Sequence, residues 1–154
     1  MWLGLINEEV DKVGRCRNVL KEARDGKIQI WTSALTLAEV FKAKCNGTKT
    51  SLEEDKDKDF ENFVDQEFLT LVQVDQDIGA AARRLLRSHS KLKKPADAIH
   101  LATALENNLD ELHTFDLDNL IPLSGSIYKL DGTVLTICIP PESDQSDLFE
   151  IPSK

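Results

Sequence analysis

Long hydrophobic runs are missing from this 154-residue sequence. The longest near its start, Met1 to Ile6, is too short for a signal-peptide core or a membrane span. Cysteine is scarce as well. Cys16, Cys45 and Cys138 are odd in number, widely spaced and outside any C-x-x-C pattern. That argues against a disulfide framework or a zinc site and for a reducing cytoplasm. There is no internal repeat and no linker that would split the chain, so one domain over residues 1–139 is expected. A polar tail follows over residues 140–154, frayed beyond Pro140-Pro141. Positive charge is in deficit: 19 Lys and Arg stand against 27 Asp and Glu, a formal net charge of −8. Taken as an average, that counts against a nucleic-acid partner, because phosphate binding draws on Lys and Arg.

The average conceals a local excess. Arg83, Arg84, Arg87, Lys91, Lys93 and Lys94 fall within twelve residues, immediately before Asp97. The acidic surplus lies elsewhere, in residues 53–61 and in the tail after Pro141. Asp55-x-Asp57-x-Asp59 begins like a calcium loop. It has Phe60 where that loop needs glycine and Gln66 where it needs glutamate, so it reads as a solvated acidic segment. The basic strip has two readings, a solvated helix face with a lysine-rich loop, or a phosphate grip on entering RNA by Arg87, Lys93 and Lys94.

Periodicity supplies the elements. Asn7 is expected to cap a helix carrying Val10, Val13, Leu20 and Ala23 on one face and stopping at Gly26. Residues 28–31 read as a strand. A helix from Thr36 runs through Val40 and Phe41 to Asn46-Gly47. Ser51-Leu52-Glu53-Glu54 reads as a capping box for a third helix with Phe60, Phe63 and Val64. A strand over 68–74 precedes a helix from Asp75 to about Arg87, with Ile78, Ala81, Ala82 and Leu85 inward. Pro95 suits the first turn of a helix reaching Asn107. Residues 112–115 form a short strand, and Asp131-Gly132 signals a C-terminal β-hairpin. Strands alternating with helices predict an α/β fold, a three-layer α/β/α domain with a central, mostly parallel sheet.

Three acids stand out by setting. Glu39 falls in the first turn of a helix that follows a strand, Asp97 at the start of the most apolar helix, and Asp116 at the end of a strand. In an open parallel sheet, strand C-terminal ends and helix N-termini share the edge where ligands bind, so the three carboxylates are expected to gather there. Each also has a plain explanation. Thr36-x-x-Glu39 matches a capping box, Asp97 suits a helix macrodipole, and Asp116 and Asp118 suit a turn toward Leu120. His100, three residues beyond Asp97, reads first as a helix residue packed near the core and second as a ligand or proton carrier.

The run Asp97-Ala98-Ile99-His100-Leu101-Ala102-Thr103-Ala104, followed by Thr114-Phe115-Asp116-Leu117-Asp118, resembles the C-terminal signature of PIN domains. Ser33-Ala34-Leu35-Thr36-Leu37-Ala38-Glu39-Val40 resembles their second-helix motif, and weaker similarity extends from about Trp2 to Thr114 and beyond. The resemblance implies a Mg²⁺- or Mn²⁺-dependent endoribonuclease like the toxins of toxin–antitoxin pairs, with RNA as substrate, an antitoxin protein as partner, and a homodimer. It implies Glu39, Asp97 and Asp116 as metal-binding catalytic residues, Asp118 as an additional metal-site acid, and Thr114 as a hydroxyl orienting Asp116 or a water. The chemistry agrees, since hard divalent cations take carboxylate oxygens and offset the repulsion between clustered acids.

One departure carries an expectation of its own. The family opens with a strand ending in aspartate, whereas Met1-Trp2-Leu3-Gly4-Leu5-Ile6 resembles the residues just after it, and no acid precedes Glu8. A missing central strand would leave a gap in the sheet or invite a partner to fill it. It would also favour a catalytically impaired module that binds RNA or protein without cutting. A third alternative is an interaction domain whose acids are only helix caps.

Overall fold

The computed structural model describes residues 1–45 and 48–142, with the backbone alone over 42–45 and 48–51. Helix α1 (Trp2–Ile6) leads through a turn to α2 (Val13–Arg24). This differs from the expected single helix capped by Asn7. Asn7 is instead the C-cap of α1, and Glu8 takes φ 49, a left-handed conformation that breaks helical continuity. The far end of α2 behaves as expected. Gly26 at φ +72 closes it, with the Gly26 and Lys27 amides donating to the Ala23 and Glu22 carbonyls. Those two bonds satisfy carbonyls the last turn would otherwise orphan.

Strand β1 (Ile30–Ser33) is followed by α3 (Leu35–Glu39), only five residues long. The helix expected to continue through Phe41 ends because Val40 adopts φ −89, ψ 73. Strands β2 (Lys42–Cys45) and β3 (Thr48–Ser51) then pair antiparallel, Lys42 with Ser51 and Cys45 with Thr48. The expected helix stop at Asn46-Gly47 lies outside the described residues. Helix α4 (Glu54–Val64) starts from Glu53, which makes no side-chain cap bond, and the Ser51 side chain of the expected capping box lies outside the described residues. Phe60 on α4 is buried edge-on to Trp2, with ring centroids 5.9 Å apart.

Strand β4 (Leu69–Val72) pairs parallel with β1, and α5 (Gln76–Ser88) is capped by the Asp75 carboxylate, which accepts from the Ile78 amide at 2.9 Å. Helix α6 (Pro95–Glu106) packs on α5 and touches β1. Strand β5 (Glu111–His113) pairs parallel with β6 (Thr136–Cys138). The Asp131-Gly132 turn forms as expected, with the Lys129 amide donating to the Thr133 carbonyl and the Leu135 amide to the Ile127 carbonyl on either side of a Tyr128–Val134 bridge. Its second arm continues into β6. Pro140 is fully buried, and Arg15 donates to its carbonyl at 2.9 Å and pairs with Glu142. Residues 143–154 of the expected tail lie outside the described residues.

The parallel strands do not form one sheet. β1–β4 and β5–β6 are separate pairs. Two apolar clusters accompany them: one joins α1, α2, β1, α4 and β4, and the other α5, α6 and the segment 120–137. Between β1 and β5 lies a cleft of about 1010 Å³, lined by residues of both strands. The Ile30 and Ala34 amides bond toward β4, and Thr114 donates to Cys138 on β6. Alternation along a strand therefore turns the Trp31, Ser33 and His113 amides toward the cleft.

Candidate metal centre

Local sequence explains how the acids reach one place. The Thr32 and Thr36 hydroxyls bond to each other at 2.9 Å, and Ser33 Oγ accepts from the Leu35 amide. These contacts fix the β1–α3 turn and occupy Thr36, so Glu39 does not close a capping box with it. Glu39 Oε2 instead lies 2.6 Å from His100 Nε2, across 61 positions of sequence. Lys94 Nζ, at the start of α6, lies 3.8 Å from Asp97 and 3.9 Å from Asp116. Glu39, at the end of α3, and Asp116, three residues beyond β5, thus both meet the N-terminal half of α6 or its cap.

Asp97 is the most constrained of the acids. Its Oδ2 is buried and has no hydrogen-bond partner. Burial pushes its carboxyl pKa above the usual value, opposed by Lys94 and His100 and reinforced by the negative charges of Asp116 and Glu39. An orphaned carboxylate oxygen beside two like charges fits a divalent cation, which would supply both the missing partner and the missing charge. Lys94 half-fills that role at ion-pair distance.

Asp116 is held differently. Its carboxylate accepts from the Asp118 and Asn119 amides and from the Asn119 side chain, so it does cap the turn toward Leu120. Burial works against ionisation, yet the Asn119 and Asp118 bonds and Lys94 together hold its pKa below the usual range. A carboxylate has about four acceptor positions, so capping leaves capacity for a cation. The Thr114 hydroxyl accepts from the Asp116 backbone amide at 3.1 Å, fixing the loop rather than touching the carboxylate. Asp118 is exposed, and its described bond is a backbone one to Asp116.

Glu39, Asp97, His100 and Thr114 line the cleft between β1 and β5. The basic strip divides. Lys94 joins the acids, Arg84 pairs with Glu106 on α6 at 3.7 Å, and Arg87 and Lys93 are exposed on the helix end and loop. His100 is the residue that sequence reasoning ranked too low. Its spacing from Asp97 was visible, but its partner Glu39 was not.

Removing the ammonium tests this balance. Lys94→Met should tighten Mn²⁺ binding because the cation no longer competes with Lys94. Lys94 is largely exposed, so the gain should be modest, about 1 kcal/mol or roughly fivefold. Isothermal titration of both proteins checks it. Equal affinities would mean that Lys94 does not sit where the metal binds.

Fold and site together define an α/β domain with an acidic centre where its parallel strands end. The PIN domain family model matches residues 3–121, and the chain belongs to that family. PIN domains are in general divalent-metal-dependent nucleases, so membership points to nuclease-type chemistry on nucleic acid. No curated protein and no solved structure matches the chain. Among the described residues, no helix is long and apolar enough to cross a membrane.

Proposed function

We propose that this protein is a metal-dependent endoribonuclease of toxin type, cutting RNA phosphodiester bonds at the centre formed by Glu39, Asp97 and Asp116. The observation that carries the reading is the buried Asp97 oxygen, without a hydrogen-bond partner and close to two like charges in a PIN domain. Asp97 and Asp116 would hold Mg²⁺ or Mn²⁺, with Glu39 joining them directly or through water and Asp118 as an additional acid. When bound, such an ion lowers the pKa of a water and stabilises charge on the phosphate. His100 orients Glu39 through their 2.6 Å contact. Lys94 is placed to swing from the acids to a substrate phosphate, and Arg87 and Lys93 extend the positive approach. The folded unit takes in residues 1–139 and continues through Pro140 to Glu142, acting as a homodimer in the cytoplasm and restrained by an antitoxin protein.

The experiment is incubation of the full chain with a structured RNA in millimolar Mn²⁺, with and without EDTA. Internal cleavage only with free metal is the expected result. Thermal melting in the same buffers should show stabilisation, about 2.7 kcal/mol at a hundredfold excess of metal over Kd.

A second reading is favoured by one feature, the open cleft between β1 and β5. Residues 2–6 form a helix, and the β1 edge facing β5 has no strand beside it among the described residues. A centre left open on that side would bind metal and RNA, or a protein, without cutting. Stabilisation by Mn²⁺ with RNA left intact selects this reading. Absence of any metal stabilisation would remove both and leave the acids as helix and turn caps.

A further inference from the structure

The sheet edge carries a second cluster of ligand-type side chains whose chemistry differs from that of the acidic centre. Glu111 and His113 are alternate residues of β5, so their side chains leave the same face of the strand. Cys138 on β6 is the register partner of His113, which brings its thiol to that face as well. Glu111 Oε2 lies 2.9 Å from His113 Nε2 and 3.8 Å from Cys138 Sγ. All three ligand atoms fall within 4.8 Å of one another.

We propose that Glu111, His113 and Cys138 form a second metal site, one that takes a borderline transition-metal cation of the Zn²⁺ type. The geometry is close to what such an ion needs. Tetrahedral Zn²⁺ with nitrogen, oxygen and sulfur ligands places them roughly 3.3–3.8 Å apart. The Glu111–His113 contact has only to open by about 0.5 Å, and the widest separation has to close by about 1 Å. The donor set decides the metal class. Imidazole and thiolate favour Zn²⁺, Co²⁺ or Cu ions, whereas an all-carboxylate centre suits Mg²⁺ or Mn²⁺. Three protein ligands also leave the fourth tetrahedral position open. Glu111 and His113 line the cleft, so that position is reachable by water or by whatever enters it.

This departs from the expectation, drawn from the cysteine spacing, that the protein has no zinc site, because that spacing sees only ligands close in sequence. Here the ligands come from two strands 25 residues apart in register, Glu111 with Thr136 and His113 with Cys138. The cluster does not depend on the nuclease reading, since none of its members belongs to the acidic centre.

The test is titration of the full-length protein with Co²⁺ as a spectroscopic probe. Expected are a thiolate-to-cobalt charge-transfer band and tetrahedral d–d bands, both erased by stoichiometric Zn²⁺ and untouched by excess Mg²⁺. The bands should persist in Asp97→Asn, in Cys16→Ser and in Cys45→Ser, which leaves Cys138 as the thiol source. They should vanish in Cys138→Ser, and in His113→Gln, which carries the same comparison if the cysteine variant fails to fold. No charge-transfer band in the wild type, or a band that survives loss of Cys138 or His113, overturns the proposal. So does a band lost in Asp97→Asn with folding intact, because the metal would then belong to the acidic centre.

Discussion

Asp97→Asn should lower metal-dependent RNA cleavage at least about a thousandfold while raising the melting temperature of the metal-free protein. The two effects have opposite signs because one carboxylate serves the reaction and burdens the fold. A metal ion at a phosphate supplies several kcal/mol of charge stabilisation in the transition state. Losing about 4 kcal/mol of it corresponds to about three decades in rate. The burden is visible in the metal-free state, where Asp97 Oδ2 is buried without a hydrogen bond and burial, Asp116 and Glu39 outweigh the opposing charge of Lys94. Asparagine keeps the shape and removes the charge. Each kcal/mol recovered is worth about 2–4 °C in a protein of this size.

The pH dependence follows from the two directions of shift. Asp97 has its folded pKa raised above the usual 3.8, so the folded state binds the proton more tightly. Its contribution makes the metal-free protein more stable as pH falls through that raised value, levelling off below 3.8. Asp116 has its folded pKa lowered, so its contribution is present above 3.8 and is lost as pH falls through the lower value. Mild acid should therefore stabilise first, and stronger acid should destabilise. In Asp97→Asn the early gain disappears and only the later loss remains. Melting curves across that range check both signs. A variant that melts lower and still cuts RNA would make Asp97 a structural acid.

Sequence alone carried the helices that announce their own ends. Pro95 in the first turn and a largely apolar stretch after it made α6 legible to within a residue at its far end. The inward set Ile78, Ala81, Ala82 and Leu85 did the same for α5, whose cap is Asp75. The N-terminal region was misread because Asn7 can either open or close a helix, and the left-handed Glu8 that decides between them leaves no local pattern. Strand β2 was read as helix because Val40 breaks the helix through its backbone torsion, which its residue type does not announce.

The candidate site divides along the same line. Asp97 and Asp116 were legible from their places at element ends, and the structure brings both to Lys94. Thr114 was assigned the right neighbour but a different bond, to the Asp116 amide and not its carboxylate. The Glu39–His100 contact was not legible, since it depends on how α3 meets α6 in space. The Glu111, His113 and Cys138 cluster was hidden for a related reason. The hairpin signal at Asp131-Gly132 says that a strand returns, but not that β6 then lies parallel to β5.

Leu101→Ala should produce the opposite separation from Asp97→Asn: a large loss of stability with chemistry largely kept. Leu101 is fully buried on α6, one residue beyond His100 and one turn beyond Asp97, in the cluster with Ile78, Ala82 and Leu135. Truncation removes three buried carbons and leaves a cavity that α5 and α6 can only partly close, a cost of about 2–5 kcal/mol. Against a total stability of about 5–15 kcal/mol, that is a major fraction. At about 2–4 °C per kcal/mol, the melting temperature should fall by roughly 4–20 °C. Leu101→Met, which nearly conserves volume, should cost less than about 1.5 kcal/mol. Below the melting range, Leu101→Ala should still bind Mn²⁺ and cut RNA within about tenfold of wild type, because all four polar groups of the site remain (each tenfold being about 1.4 kcal/mol of barrier). A thousandfold loss in the folded variant would show instead that the centre depends on sub-ångström placement of α6, for which misplacement by about 1 Å already costs about a hundredfold.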